Sequence, residues 1–235
     1  MSTITGLQHW PGSLVRAFSS SLLPATCCMC GFPGARVGLD LCAICIALLP
    51  PDAAQASYCP PAFSLALVPF KYAYPVDRFI RSLKFRGERL YARVLGTLLA
   101  DAQRKLGVPP PQILIPVPLH SSRYRERGFN QAYEIACFAA GGLGVRVDHY
   151  SLARLVPTKE QSGLSVQERR RNVRGAFRAV LRQPIEHVAL VDDVLTTGNT
   201  ATAAAEALHA AGVSKIELWA IARVAHAVHP RLEHL

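Results

Sequence analysis

Asp192 and Asp193 stand side by side after the apolar run Val188-Ala189-Leu190-Val191, and Thr196-Thr197-Gly198-Asn199-Thr200 follows almost at once. Paired carboxylates accept hydrogen bonds from sugar hydroxyls. A turn of small, hydroxyl-bearing residues ahead of a helix can hold a phosphate with its side chains and its backbone amides. Together they describe a pocket for a sugar phosphate. Helix capping is the competing explanation for the Thr/Asn turn, because those residue types cap helices on their own. A cap needs one oxygen acceptor and leaves the two carboxylates unexplained.

Such chemistry needs a strand, a turn and a helix in that order. Residues 188–191 form a continuous apolar run with two β-branched side chains, which suits a strand buried on both faces. Residues 200–211 are rich in Ala and stop at Gly212, the pattern of a helix with a glycine stop. The acids then lie at the carboxyl end of the strand, where open α/β sheets bind ligands. Gly198 lets the backbone approach a ligand closely. No Gly-x-x-x-x-Gly-Lys-Ser/Thr pattern occurs, which argues against a P-loop nucleotidase. Residues 63–70, 113–117 and 216–221 read as further strands, and 76–85, 90–106 and 129–140 as helices. The alternation predicts an α/β fold, a parallel sheet flanked by helices.

The segment 188–200 resembles the 5-phosphoribosyl 1-pyrophosphate (PRPP) motif of type I phosphoribosyltransferases. The resemblance implies that Asp192 and Asp193 contact the ribose 2′- and 3′-hydroxyls and carry the catalytic role. It implies a 5′-phosphate site built from Leu195, Thr196, Thr197, Gly198, Asn199 and Thr200. Two further blocks are similar to the ComF family, the competence-associated branch of these proteins. One is Ile115-Pro116-Val117-Pro118-Leu119-His120, leading to Arg123 and then Arg127-Gly128-Phe129-Asn130-Gln131. The other is Thr158-Lys159-Glu160-Gln161-Ser162-Gly163-Leu164, leading to Glu168-Arg169-Arg170-Arg171-Asn172-Val173-Arg174-Gly175-Ala176-Phe177.

This resemblance implies a type I phosphoribosyltransferase-like fold with pyrophosphate contacts from Lys84, Arg123 and Arg127. It also implies a loop over 157–174 that closes on the substrate, with Lys159 and Gln161 reaching the ligand. Mg²⁺ would ride on the diphosphate and ribose oxygens. The reaction would transfer a phosphoribosyl group to an acceptor and release pyrophosphate. Guanidinium forks suit phosphate oxygens. A solvated basic helix start is the alternative for Arg123 and Arg127, and a charged exposed helix for 168–174. The family is associated with natural transformation. A non-catalytic competence factor that binds single-stranded DNA, alongside other competence proteins, is therefore the rival function, and a PRPP-sensing regulator a third.

Seven cysteines occur, five of them early. Cys27-x-x-Cys30 and Cys42-x-x-Cys45 form two knuckles across a Gly-containing connector, a spacing that fits tetrahedral structural zinc. Disulfides are the alternative. The absence of a credible secretory signal and the enzyme-like remainder disfavour them. Four thiolates leave no open coordination position, so the metal takes no catalytic role. Cys28 is a spare that could replace Cys27. Cys59 resembles the remnant of a second cysteine pair, and Cys137 reads as a core residue.

The chain has 235 residues and a net charge of +10. Residues 1–60 hold Arg16 and Arg36 against Asp40 and Asp52, so the whole excess lies beyond them. That suits phosphate-rich partners, PRPP or nucleic acid. The resemblance implies an N-terminal helix and zinc-ribbon-like module over 1–60 and a phosphoribosyltransferase-like domain over 61–235. Nothing reaches the length of a membrane span. Residues 14–23 read as a short helix, with a signal segment ending at Cys27 as the alternative. A cytoplasmic location is expected, and the sequence leaves the oligomeric state open.

Overall fold

The computed structural model describes residues 26–35, 38–53, 59–156 and 175–224. Lys159, Gln161, the expected closing loop and the expected helix at 14–23 lie outside them. The chain divides into two compact units, Met1–Ala47 and Leu48–Leu235. In the first, the described part is two cysteine turns and one short helix, α1 (Ala43–Ala47).

The second unit is built on a parallel sheet. Its strands are β1 (Leu65–Leu67), β2 (Phe70–Lys71), β3 (Ile113–Pro116), β4 (Arg146–Val147), β7 (His187–Leu195) and β8 (Lys215–Arg223). The order is β1-β8-β7-β3-β4, with β2 also paired to β8. Every pair in this sheet is parallel, so all carboxyl ends meet at one edge. β3 and the first half of β7 are continuous apolar runs because helices and strands cover both faces.

On one face pack α3 (Leu90–Lys105) and α5 (Gln131–Leu143), with α2 (Val76–Arg86) against α3. Gly96 allows that packing: a Cβ there would meet the Ile135 carbonyl oxygen at 2.5 Å and Phe138 Cβ at 2.6 Å. Asn130 ties the start of α5 to the end of β3. Its side chain accepts from Ala132 N at 3.0 Å and donates to the Val117 carbonyl at 3.0 Å. On the other face lie α6 (Asn199–Ala210) and the antiparallel hairpin β5 (Leu152–Arg154) with β6 (Phe177–Ala179). Their side chains form one core with Val188, Leu190, Leu218 and Ala220. The short helix α4 (Ser121–Arg127) has no buried residue.

Several expectations need amendment. The strand at 63–70 is two pieces, interrupted at Val68-Pro69 because proline supplies no N–H to a ladder. The strand expected at 188–191 continues through both acids to Leu195. β8 keeps supplying partners there, pairing Ala220 with Asp192 and Ala222 with Val194. The two compact units divide between Ala47 and Leu48. The segment around Asp52 belongs with the sheet: Asp52 N donates to the Pro69 carbonyl at 3.0 Å, and Arg223 Nε and Asp52 Oδ2 form an ion pair at 2.9 Å with both side chains buried. The hairpin β5–β6 was not anticipated, because three-residue strands carry too few positions to show a period.

Candidate functional site

β7 delivers the two acids to the carboxyl edge of the sheet. Successive side chains on a strand face opposite ways. Asp192 continues the register of Val188 and Leu190 toward α6, and Asp193 continues that of Ala189 and Val191 toward the helices. The two carboxylates nonetheless act on each other, and Lys84 acts on both.

Asp192 is partly buried and lines a cleft with Val194, Thr196, Gly198, Thr200, Leu218 and Ala220. The cleft encloses about 320 Å³ including its open mouth. Gly198, at φ +74°, turns the chain into α6, a backbone angle that favours glycine. No side chain caps α6. The capping explanation for Thr196 and Thr197 therefore fails, and both hydroxyls sit near a helix start that favours an anion. The Asn199 side-chain nitrogen is buried without a hydrogen-bond partner among the described residues. Leu195 is buried, and its carbonyl accepts from Val224 N at 3.0 Å, so it closes the sheet beneath the cleft.

Asp193 is 4% exposed. Lys84, in the last turn of α2, places Nζ 2.5 Å from its Oδ2. The Asp193 backbone N–H donates to Asp192 Oδ1 at 2.8 Å. Surrounding protein, and then the Asp193 charge, push the Asp192 carboxyl up to about 7, and Lys84 acts against them.

Further cations ring the pair. Arg127 donates to Gln131 Oε1 at 2.6 Å and lies over the Phe85 ring at 5.7 Å. Burial lowers its pKa and the nearby Asp193 charge raises it. Arg154, in β5, stands over the Phe177 ring at 5.5 Å. Burial lowers its pKa as well, Asp192 raises it and Arg123 lowers it. The structure brings Lys84 and Arg127 to Asp193 and Arg154 to Asp192, with Arg123 near both arginines. The signal of Arg154 in the sequence is slight: one Arg set among Leu152, Ala153, Leu155 and Val156.

In the first unit, the Sγ atoms of Cys27, Cys30, Cys42 and Cys45 all lie within 4.8 Å of one another. Cys30 is 3.6 Å from both Cys42 and Cys45. Tetrahedral Zn–S bonds of about 2.3 Å set an S···S edge of about 3.8 Å. A disulfide needs about 2.05 Å, and all four thiols are free. Cys45 N donates to Cys42 Sγ at 3.4 Å, the kind of bond that steadies a thiolate. The donor set can hold a metal ion. Cys28 is not among the four. Cys59 instead donates to the Phe63 carbonyl at 3.3 Å. Cys137 is partly buried on α5 rather than in the core.

No protein-family model matches the chain. The chain is 31% identical over 221 residues to the DNA utilization protein YhgH of Salmonella typhi, covering 92% of each. It is 33% identical over 170 residues to Competence protein F of Haemophilus influenzae, covering 69% of this chain and 74% of that protein. Among solved structures, a purine phosphoribosyltransferase from Pyrococcus horikoshii aligns with 55% of this chain and 80% of its own, at TM-score 0.30 and 16% identity.

The raised Asp192 carboxyl makes the fold sensitive to pH. The folded chain holds this proton up to about pH 7, whereas the ordinary value is 3.8. The group's stabilising share is complete below about pH 4 and is lost as pH rises through about 7. Denaturant midpoints should therefore fall across that window, and Asp192→Asn should flatten the fall. Parallel pH profiles for the two proteins would refute this account of Asp192.

Proposed function

This chain belongs to the ComF family of competence and DNA-utilization proteins, and from that premise we propose that it binds PRPP in the β7–α6 cleft. One observation carries the reading: a partly buried carboxylate, Asp192, shares a cleft with the uncapped start of α6. The Asp192 carboxylate accepts from ribose hydroxyls. The amides and hydroxyls at Thr196, Thr197, Gly198 and Thr200 take the 5′-phosphate, with the Asn199 amide as a further donor. Lys84, Arg123 and Arg127 face the diphosphate.

The reaction such a site serves is phosphoribosyl transfer to an acceptor not yet identified. An acceptor lone pair bonds to ribose C1 as the C1–O bond breaks. The bonding electrons leave on pyrophosphate, and the acceptor's proton passes to solvent. Positive charge grows at C1, and a carboxylate held nearby stabilises it. Mg²⁺ carried by the diphosphate would offset the charge of the leaving group. The cations around the leaving group and the exclusion of water supply the rest.

A second reading, single-stranded DNA binding, is favoured by the basic helix α4. Its exposed Tyr124 and the exposed Phe85 sit among Arg86, Arg125 and Arg127, the mixture of charge and stacking surface that such strands use. The relatives' names point the same way. For the four cysteines we propose structural zinc, which holds together a small unit with little apolar interior. A PRPP ligand and reduced thiols fit a cytoplasmic protein.

Three measurements test these readings. Mg²⁺ and PRPP at ~100 times the Kd should raise Tm by about 5–10 °C. Asp192→Asn combined with Asp193→Asn should remove the shift, and an unchanged Tm at millimolar PRPP overturns the site. Anisotropy titrations of a labelled single strand should show affinity falling steeply with salt; no binding at low salt removes the DNA reading. Metal analysis should find about one zinc per chain, lost on Cys42→Ser; folded protein free of metal refutes the zinc assignment.

A further inference from the structure

Tyr133 on α5, His149 and Tyr150 after β4, and Arg182 after β6 form one row of flat groups. The Tyr133 and His149 rings meet edge to face at 5.0 Å, and the His149 and Tyr150 centroids are 3.8 Å apart with the rings tilted by 38°. The Arg182 guanidinium stands over the Tyr150 ring at 5.0 Å. Tyr150 is 65% exposed, and His149 and Arg182 are exposed beside it. None of the four lines the β7–α6 cleft.

A hydrogen-bonded turn holds the row in place. The Asp148 carboxylate accepts from Tyr150 N at 2.8 Å, Ser151 N at 3.1 Å and Ser151 Oγ at 2.6 Å. Asp148 N donates to the Leu114 carbonyl at 2.9 Å, which fixes the turn to β3. Val180 N donates to the Ser151 carbonyl at 2.8 Å, which draws the end of β6, and Arg182 after it, alongside. Ser151 is buried, so a buried turn presents an exposed tyrosine. β3 and β4 run parallel, so the turn after β4 lies at the edge of the sheet where β3 leads into the basic helix α4.

The chemistry selects the partner. Rings with polar rims beside a planar cation offer flat π surface, on which bases stack whatever their sequence. The charge agrees. Arg146 and Arg178 are exposed on β4 and β6, the strands that lead to the row. The two acids next to these rings in sequence are already engaged, Asp148 in its own turn and Glu134 with Arg89 at 3.6 Å. The geometry points to a base-stacking platform for single-stranded DNA at Tyr150, with His149 and Tyr133 as its support and Arg182 as its phosphate contact. This rests on the single-stranded DNA reading above and extends it from α4 to a second surface, separate from the PRPP cleft. Arg182 is long and exposed, so it swings from the ring to a phosphate as a base takes its place on Tyr150.

The test compares a labelled oligothymidylate with a strand of the same length that carries abasic sites, by anisotropy at low salt. Tyr150→Ala should weaken the oligothymidylate about tenfold and leave the abasic strand within about twofold. Tyr150→Phe, which keeps the ring, should bind as the wild type does. Arg182→Gln should weaken both strands and lower the slope of log affinity against log salt by about 0.7, the share of one phosphate. Both positions are exposed, and Arg182→Gln gives a result even if Tyr150→Ala folds poorly. Equal weakening of the two strands by Tyr150→Ala overturns the stacking platform. Wild-type affinity in both Tyr150→Ala and Arg182→Gln, with loss in Tyr124→Ala, overturns it too and leaves the DNA reading standing on α4. A wild-type chain that binds neither strand overturns the DNA reading itself, and this inference with it.

Discussion

The pairing of β7 with β8 continues past the apolar core to Leu195 and Arg223. That continuity governs the site, because it keeps the chain pleated while it carries Asp192 and Asp193. A pleated backbone sends one carboxylate to each face. Held in the ladder, Asp192 borders the start of α6 and Asp193 pairs with Lys84, while the two side chains still act on each other. The turn at Gly198 and the position of α6 follow from where the ladder ends.

Electrostatics then follow from geometry. Two acids at adjacent positions repel each other, and both lie where water is scarce. The fold answers with cations from separate parts of the chain: Lys84 from α2, Arg127 from α4, and Arg154 from β5. Asp193 is neutralised by direct contact. Asp192 is less fully compensated, so its carboxyl rises to about 7. A group poised there responds to small changes in nearby charge, which suits a residue that meets a highly charged ligand. The Arg side chains rest on Phe85 and Phe177, so aromatic rings set their direction as much as the acids do. In the first unit, backbone turns bring four thiols within 4.8 Å of one another.

Much of this was legible in the residue order. Local patterns carried the strand, turn and helix of the acid-bearing segment, the parallel α/β architecture, and the two cysteine knuckles. Each depends on neighbours within a few positions: an apolar run, a glycine stop, a Cys-x-x-Cys turn. The basic residues near Arg123 and Arg127 were also visible, as was Lys84 at the end of a helix. Arg154 was not, because its hairpin is too short to show a period and its surroundings come from α6 and β6.

What tertiary structure alone decided is the direction in which each group points and what it meets there. Whether β7 stops before the acids or runs through them depends on the length of β8, which no residue of β7 reports. Whether Thr196 and Thr197 cap α6 depends on the backbone path through Gly198, and the structure shows that they do not. The contact of Lys84 with Asp193 joins two segments whose separation in sequence carries no record of their meeting. Residue types set the chemistry available to this chain. The packing of α2 beside a sheet edge set which charge faces which, because a side chain's partner is fixed by distance in space and not by distance along the chain.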